Sequence, residues 1–118
     1  MRDFKKLKVW HKTHELTIDI YKVSKGFPKD ETYGITSQIR RASSSIEFNI
    51  AEGCGRESEK ELSRFLTISM GSASELECEI PLSFDLGYLE KADYKRLEQK
   101  TIEVKKMLSS FIVKLRKS

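Results

Sequence analysis

SQIRRASSSIEFNIAEGCGR, residues 37–56, decides how the whole chain is read. With Ile35 just ahead of it, the stretch places Ile39, Ala42, Ile46, Ile50 and Gly53 at intervals of three or four. That is the period of one helical face. Threaded through the stripe are Gln38, Arg40, Arg41, the serines 43–45, Asn49 and Glu52. A helix that only packs in a bundle has no need of adjacent arginines and so many small polar side chains. Catalysis, subunit contact and polyanion binding would each account for them.

Working outward, this helix spans about Glu31 to Gly53, and GCG ends it. Upstream, Val9, Leu16, Ile20 and Val23 share one face of a helix from about Val9 to Lys25. GFPKDE stops that helix: Gly26 suits its C-terminal cap, Pro28 cannot continue it, and Asp30 is placed to cap the next one. Downstream, Ser58 and Glu61 form a capping box for a third helix. Its core face is Leu62, Phe65, Leu66, Ser69, Ala73, Leu76, Ile80 and Phe84. Pro81 falls inside that pattern and removes the donor for the Glu77 carbonyl, which predicts a kink. DLGYLEKAD makes the last turn, and Tyr94, Leu97, Thr101, Val104, Leu108, Phe111 and Leu115 stripe a fourth helix. No segment alternates with period two, and no repeat intervenes. Four amphipathic helices with short connections predict one all-α domain over 1–118, an antiparallel up-down-up-down four-helix bundle.

A bundle needs one stripe per helix, yet the first three helices carry two. The extra stripes are Trp10, His14, Thr17 and Tyr21; Gln38, Arg41, Ser45, Phe48 and Glu52; and Ile68, Gly71, Glu75, Glu79, Leu82 and Leu86. Subunit interfaces mix residues in this way. A wide core with a polar rim is the other reading.

Composition narrows the classes. A chain of 118 residues can bury roughly two thirds of its unfolded surface. Its apolar fraction is 38%, its charged fraction 34%, and its net charge +4. That balance permits nucleic-acid or acidic partners without demanding them. No run reaches the ~18 apolar residues of a membrane span. MRDFKKLKVW has no apolar stretch behind its basic residues, so it does not read as a signal peptide. Cys54 and Cys78 lack metal-ligand spacing and read as reduced thiols of a cytoplasmic protein.

Catalytic and metal chemistry find little support. His11 and His14 are three apart, but the helical wheel puts them on different faces, and a bundle metal site needs inward carboxylates from other helices. GCGRE lacks the Lys-Ser/Thr of a phosphate loop and follows a helix. Cys54 has a basic neighbour in Arg56 but no paired histidine nearby. Glu75 and Glu79 share the second stripe of the third helix. In an antiparallel hairpin Arg41 falls within one turn of Glu75. Arg–Glu pairing within or between chains, with Gln38, Arg40, Asn49 and Glu52 adding polar contacts, is the economical account. No enzyme activity, cofactor or metal is predicted.

FKKLKVW, IYKVSKGFPKDETYGITSQIRRASSSIEFNIAEGCGR, FLTISMGSASELECEI and LGYLEK together resemble the small four-helix-bundle proteins encoded in intervening sequences of bacterial 23S ribosomal RNA genes. The resemblance covers nearly the whole chain, and its most specific runs are SQIRRA…SI..NIAEG and GS..ELE. That family is similar to the accessory protein of diversity-generating retroelements, a basic pentamer that works with a reverse transcriptase and nucleic acid. The resemblance implies a non-enzymatic, pentameric bundle whose motif residues are here Gln38, Arg40, Arg41, Asn49, Glu52, Gly53, Gly71, Ser72 and Glu75. Pro81 departs from the pattern.

The predicted topology also gathers charge at one end. The start of the first helix brings Arg2, Lys5, Lys6, Lys8 and Lys12; the turn near residue 56 adds Arg56, Lys60 and Arg64; the C-terminus adds Lys105, Lys106, Lys114, Arg116 and Lys117. Two functions follow. One is a homo-oligomer that binds RNA or DNA through this end, chiefly Lys5, Lys6, Lys8, Lys12, Arg56, Lys105, Lys106, Lys114, Arg116 and Lys117. The other is an assembly module for a protein partner such as a reverse transcriptase, with charge serving solubility.

Overall fold

Four apolar stripes close on one another in the computed structural model, which describes residues 1–117. The helices are α1 (Lys8–Ser24), α2 (Ile35–Cys54), α3 (Glu59–Asp85) and α4 (Lys91–Arg116), with 3-10 turns at Phe4–Lys6 and Lys29–Glu31. Among the described residues there is no strand. The contacts between helices fix the topology, because partners run in opposite directions along each pair. His14 meets Glu47 and Thr17 meets Ser43 between α1 and α2. Ser69 meets Ile46 and Glu75 meets Arg41 between α2 and α3. Phe84 stacks on Tyr94 and Glu77 pairs with Lys105 between α3 and α4. Asp19 meets Arg96 and Lys12 meets Glu103 where α1 closes against α4. Each neighbouring pair is antiparallel, which is the up-down-up-down bundle.

The core runs the length of the molecule through Leu16, Ile20, Ile39, Ile46, Ile50, Leu66, Leu76, Ile80, Leu97 and Leu108, all essentially sealed from solvent. Fully burying a Leu or Ile side chain is worth about 1.5–3 kcal/mol, so these positions dominate stability. Ser58 caps α3 by accepting from the Glu61 N–H at 3.1 Å.

Several local expectations change. Helix α2 starts at Ile35, not Glu31, because Gly34 stands outside the helical region at φ −106°, ψ −122°. Asp30 does not cap it; the Ile35 N–H donates to Glu31 Oε1 at 3.3 Å instead. Pro81 lies inside α3 as expected, and the helix continues through it to Asp85. On α4 it is Ile112, not Phe111, that is buried, and Phe111 turns toward Arg2. On α1 Thr13 is fully buried, its hydroxyl donating to the Val9 carbonyl at 2.8 Å. A threonine can line a core because its own helix satisfies its only donor.

Gly53 and Gly71 are helical glycines in opposite circumstances. A Cβ on Gly53 would sit 2.8 Å from Phe65 Cβ and 2.9 Å from Leu62 Cδ1. At Gly71 a Cβ would meet nothing within 4 Å. Gly53→Ala should therefore lower stability by about 1–3 kcal/mol through overpacking. Gly71→Ala should raise the stability of the isolated chain by roughly 0.5–1 kcal/mol through helix propensity. Urea unfolding of both variants checks the pair of signs.

Candidate nucleic-acid interface

The residues before α1 form an arm that is tied down at several points. Asp3 accepts from the Lys5 N–H at 3.0 Å, and His11 Nε2 donates to the Lys5 carbonyl at 2.6 Å. Phe4 packs against Trp10 with ring centroids 4.9 Å apart. The Arg2 N–H donates to the Cys54 carbonyl at 2.8 Å, which lays the arm across the α2–α3 turn. The arm also meets the end of α4: a cavity of about 410 Å³ is lined by Arg2, Leu7 and Lys8 on one side and Met107, Phe111 and Lys114 on the other. A second cavity, about 510 Å³, lies between Lys60 and Ser63 of α3 and Leu115 and Arg116 of α4. Arm, turn and C-terminus thus share one end of the bundle.

The cations named from sequence divide into two groups there. Lys12 pairs with Glu103 at 3.4 Å, Lys105 with Glu77 at 2.8 Å, and Arg56 with Glu52 at 3.9 Å. Arg2 lies 3.9 Å from Glu59. Lys105 is also nine residues before Lys114, roughly 14 Å back along the helix. Lys6, Lys8, Lys60, Arg116 and Lys117 near the tip, and Lys106 farther back beside Lys105, have no carboxylate partner among the described residues. Lys5 reaches over the Phe4 ring at 5.9 Å. The unpaired cations thus gather near the arm, the start of α3 and the end of α4, where Glu57 and Glu61 offset part of their charge.

The polar residues of the opening stretch mostly serve helix contacts. Arg40 donates from Nε to Ser24 Oγ at 2.7 Å and from Nη2 to the Tyr21 carbonyl at 3.3 Å, capping the end of α1. A cation at a helix C-terminus also meets the negative end of its dipole. Asn49 Nδ2 donates to the Ser45 carbonyl at 2.9 Å, and Ser45 Oγ lies 3.0 Å from Ser72 Oγ. Arg41 and Glu75 pair within one chain at 3.2 Å, their side chains 64% and 41% exposed. A pair so exposed is worth about 0–1 kcal/mol. Gln38 and Glu52 are exposed.

Two charge arrangements between helices escaped the sequence reading. His14 Nδ1 lies 2.9 Å from Glu47 Oε2, with Glu47 buried and the imidazole stacked on Trp10. Asp19 receives Arg96 through both oxygens, at 2.9 and 2.8 Å, and Lys100 at 2.8 Å. The hydrogen bonds from Arg96, followed by those from Lys100, hold the Asp19 carboxyl down at about 2 against the opposing effect of burial. The buried position of Glu47, beside Ile46 and Ile50, could have flagged it; nothing local singles out Asp19.

Glu79 differs from all of these. It is 6% exposed, and neither of its carboxylate oxygens has a hydrogen-bond partner. Burial, followed by the neighbouring Glu75 carboxylate, pushes it up to about 8 from an ordinary 4.5, against a smaller lowering by Arg41. Ser83, one turn on, and Thr36 on α2 also bury unpartnered hydroxyls. Around this patch the outer face of α2 and α3 exposes Phe48, Ile68, Leu82 and Leu86.

For chemistry these sites offer little. Burial pushes the Cys54 thiol up, away from a thiolate nucleophile. Among the described residues no three His, Cys, Asp or Glu side chains converge as a metal site. Among the described residues no helix is long and apolar enough to cross a membrane.

Comparison with known proteins agrees with the architecture. The family model of the 23S rRNA-intervening sequence protein matches residues 5–110. A crystal structure of a protein of unknown function from the S23 ribosomal protein family of Bacteroides thetaiotaomicron is similar, with a TM-score of 0.82 and 26% identity. The match covers 88% of this chain and 97% of that one. No curated protein matches.

Glu79 carries a pH signature with a definite sign. Its folded-state value lies above its unfolded one, so its contribution is fully present below about pH 4.5 and is lost as pH rises through about 8. Asp19 acts oppositely, stabilising above about 3.8 and losing that effect as pH falls through about 2. Between about pH 5 and 8.5, Glu79→Gln should flatten the decline in unfolding free energy and make the protein more stable than wild type at the alkaline end. Urea titrations at stepped pH measure it; parallel curves for the two proteins would show that Glu79 ionises normally.

Proposed function

The chain belongs to the 23S rRNA-intervening sequence protein family, and we propose that it is a non-enzymatic, cytoplasmic homo-oligomer that binds structured RNA through its basic end. The observation that carries this reading is the convergence of the arm, the α2–α3 turn and the end of α4 around adjoining cavities. Cations from three separate segments meet there, while the opposite end holds Asp30, Glu31, Asp85, Glu90 and Asp93. Cations so placed act on a phosphate backbone without needing base contacts. A ring would repeat the tip in each subunit and multiply the field.

Assembly is supported by a different surface. Phe48 is 65% exposed, and Ile68, Leu82 and Leu86 are each close to half exposed on the same outer face. Gly71 leaves an open notch between them. Apolar side chains in such number on one face mark a contact surface, and a heterologous contact that closes gives a ring. The count of five comes from the resemblance of the motif residues. The same face supports the second reading, in which the partner is another protein and the chain has no direct role with nucleic acid.

Light scattering coupled to gel filtration should give a multiple of the 13.7 kDa chain, most simply fivefold. Phe48→Asp with Ile68→Asp should yield a folded monomer, because both positions are exposed and cost the isolated chain little. A monomeric wild type at micromolar concentration would remove the assembly reading. For nucleic acid, log affinity should fall with log salt by about 0.9 per duplex phosphate contacted, or about 0.7 for single strands. Lys60→Ala, Arg116→Ala and Lys117→Ala together should make that slope shallower without changing oligomer size. Absence of RNA and DNA binding at ~50 mM salt, where such contacts are strongest, would leave the protein-partner module.

A further inference from the structure

We propose that the cavity between the N-terminal arm and α4 receives an unpaired base, so that the preferred ligand is a single-stranded RNA segment and not a duplex. The inference rests on the RNA-binding reading above and specifies what that end recognises. A purely electrostatic tip needs only cations on a convex surface. This one has a hollow, and half of its lining is apolar: Leu7, Val9, Met107, Phe111 and Leu115. At about 410 Å³, it falls in the usual range for small-ligand pockets, ~300–1,000 Å³. Arg2, Lys8 and Lys114 bring cations to it, beside the Glu59 carboxylate and Ser110. An apolar lining with cations in excess matches a nucleotide, whose base is flat and apolar on its faces and whose phosphate is anionic.

The aromatic group is already arranged for stacking. The Arg2 guanidinium lies over the Phe111 ring, 5.6 Å from its centroid. Phe111 is half-buried at the edge of the core, and Ile112 beside it is buried. A base can stack on either a ring or a guanidinium plane. Arg2 is held at its backbone by the Cys54 carbonyl, whereas its side chain is held by the contact with the Phe111 ring and a long 3.9 Å pairing with Glu59. The side chain is thus able to shift onto an entering base while the arm stays in place. The neighbouring cavity, which shares Glu59 and Leu115 with this one, offers Lys60 and Arg116 to the adjoining phosphate. A duplex presents its base faces to each other and could reach only the rim.

Fluorescence anisotropy with three probes at low salt tests this: a short labelled oligoadenylate, an abasic strand of equal length, and an RNA duplex of equal phosphate count. Stacking one base is worth about 1–3 kcal/mol, or about fivefold and upward in affinity. The oligoadenylate should bind at least about fivefold more tightly than the abasic strand. Phe111→Leu, which keeps an apolar side chain, should abolish that difference and leave duplex affinity unchanged, and Phe111→Trp should retain it. Salt-dependent binding that ignores the bases and is indifferent to Phe111→Leu would overturn the base pocket while leaving the basic-end reading intact. No binding of any probe would overturn both.

Discussion

The close approach of α2 and α3 is the constraint on which the remaining structure depends. Ser69 donates across the gap to the Ile46 carbonyl at 2.8 Å, and the Ser45 and Ser72 hydroxyls meet at 3.0 Å. At the turn, Gly53 has no room for a methyl group against Leu62 and Phe65. A hydroxyl that reaches a main-chain carbonyl of the facing helix demands backbones nearer than leucines would permit, so small residues are required at these levels. This pairing sets the register that brings Arg41 to Glu75 and Thr36 to the level of Glu79 and Ser83. It also fixes where the turn emerges, and so where the arm can bond to the Cys54 carbonyl.

Around that hairpin, polar groups are treated differently at each seam. Between α1 and α2 they are matched: Thr17 donates to the Ser43 carbonyl, Arg40 to Ser24, and His14 faces Glu47. Between α1 and α4 the Asp19 carboxylate has both oxygens occupied. Matched buried groups add modest net stability but penalise any other alignment of the helices. Glu79 on α3 is the exception, buried with neither oxygen bonded, and Ser83 one turn on and Thr36 of α2 also bury unpartnered hydroxyls. Leu82, three residues after Glu79 and about half exposed, stands on the same side of α3.

The surfaces proposed for assembly and for nucleic acid therefore draw on different residues. The face bearing Phe48 and Ile68 is built from the outer sides of α2 and α3, and the basic tip from chain ends and a turn. Most of the arginines and glutamates that first look functional are engaged within the chain. The residues left for contact with partners are the apolar outer positions and the lysines and arginines without carboxylates. Separation of this kind would let the proposed ring form without covering its charged ends.

Fold class was legible in the sequence because hydrophobic period is a local property. Ile35, Ile39, Ala42, Ile46 and Ile50 announce a helix and its buried side without reference to any other segment, and the topology follows from short connections. Boundaries depended on finer geometry: Gly34 displaced the start of α2, and on α4 Ile112 is buried while Phe111 packs at the core's edge. The paired charges were harder, because charge pairing is a relation between distant positions. Arg41–Glu75 could be anticipated from counting levels along a hairpin, whereas Asp19 meets Arg96 across 77 positions of sequence. The cavity lined by Phe111 is less local still, needing the arm, the turn and α4 in place at once. Sequence alone determined which faces avoid water and where charge accumulates. Tertiary structure decided which charges neutralise one another and which hollows remain, because both depend on distances that no single helix contains.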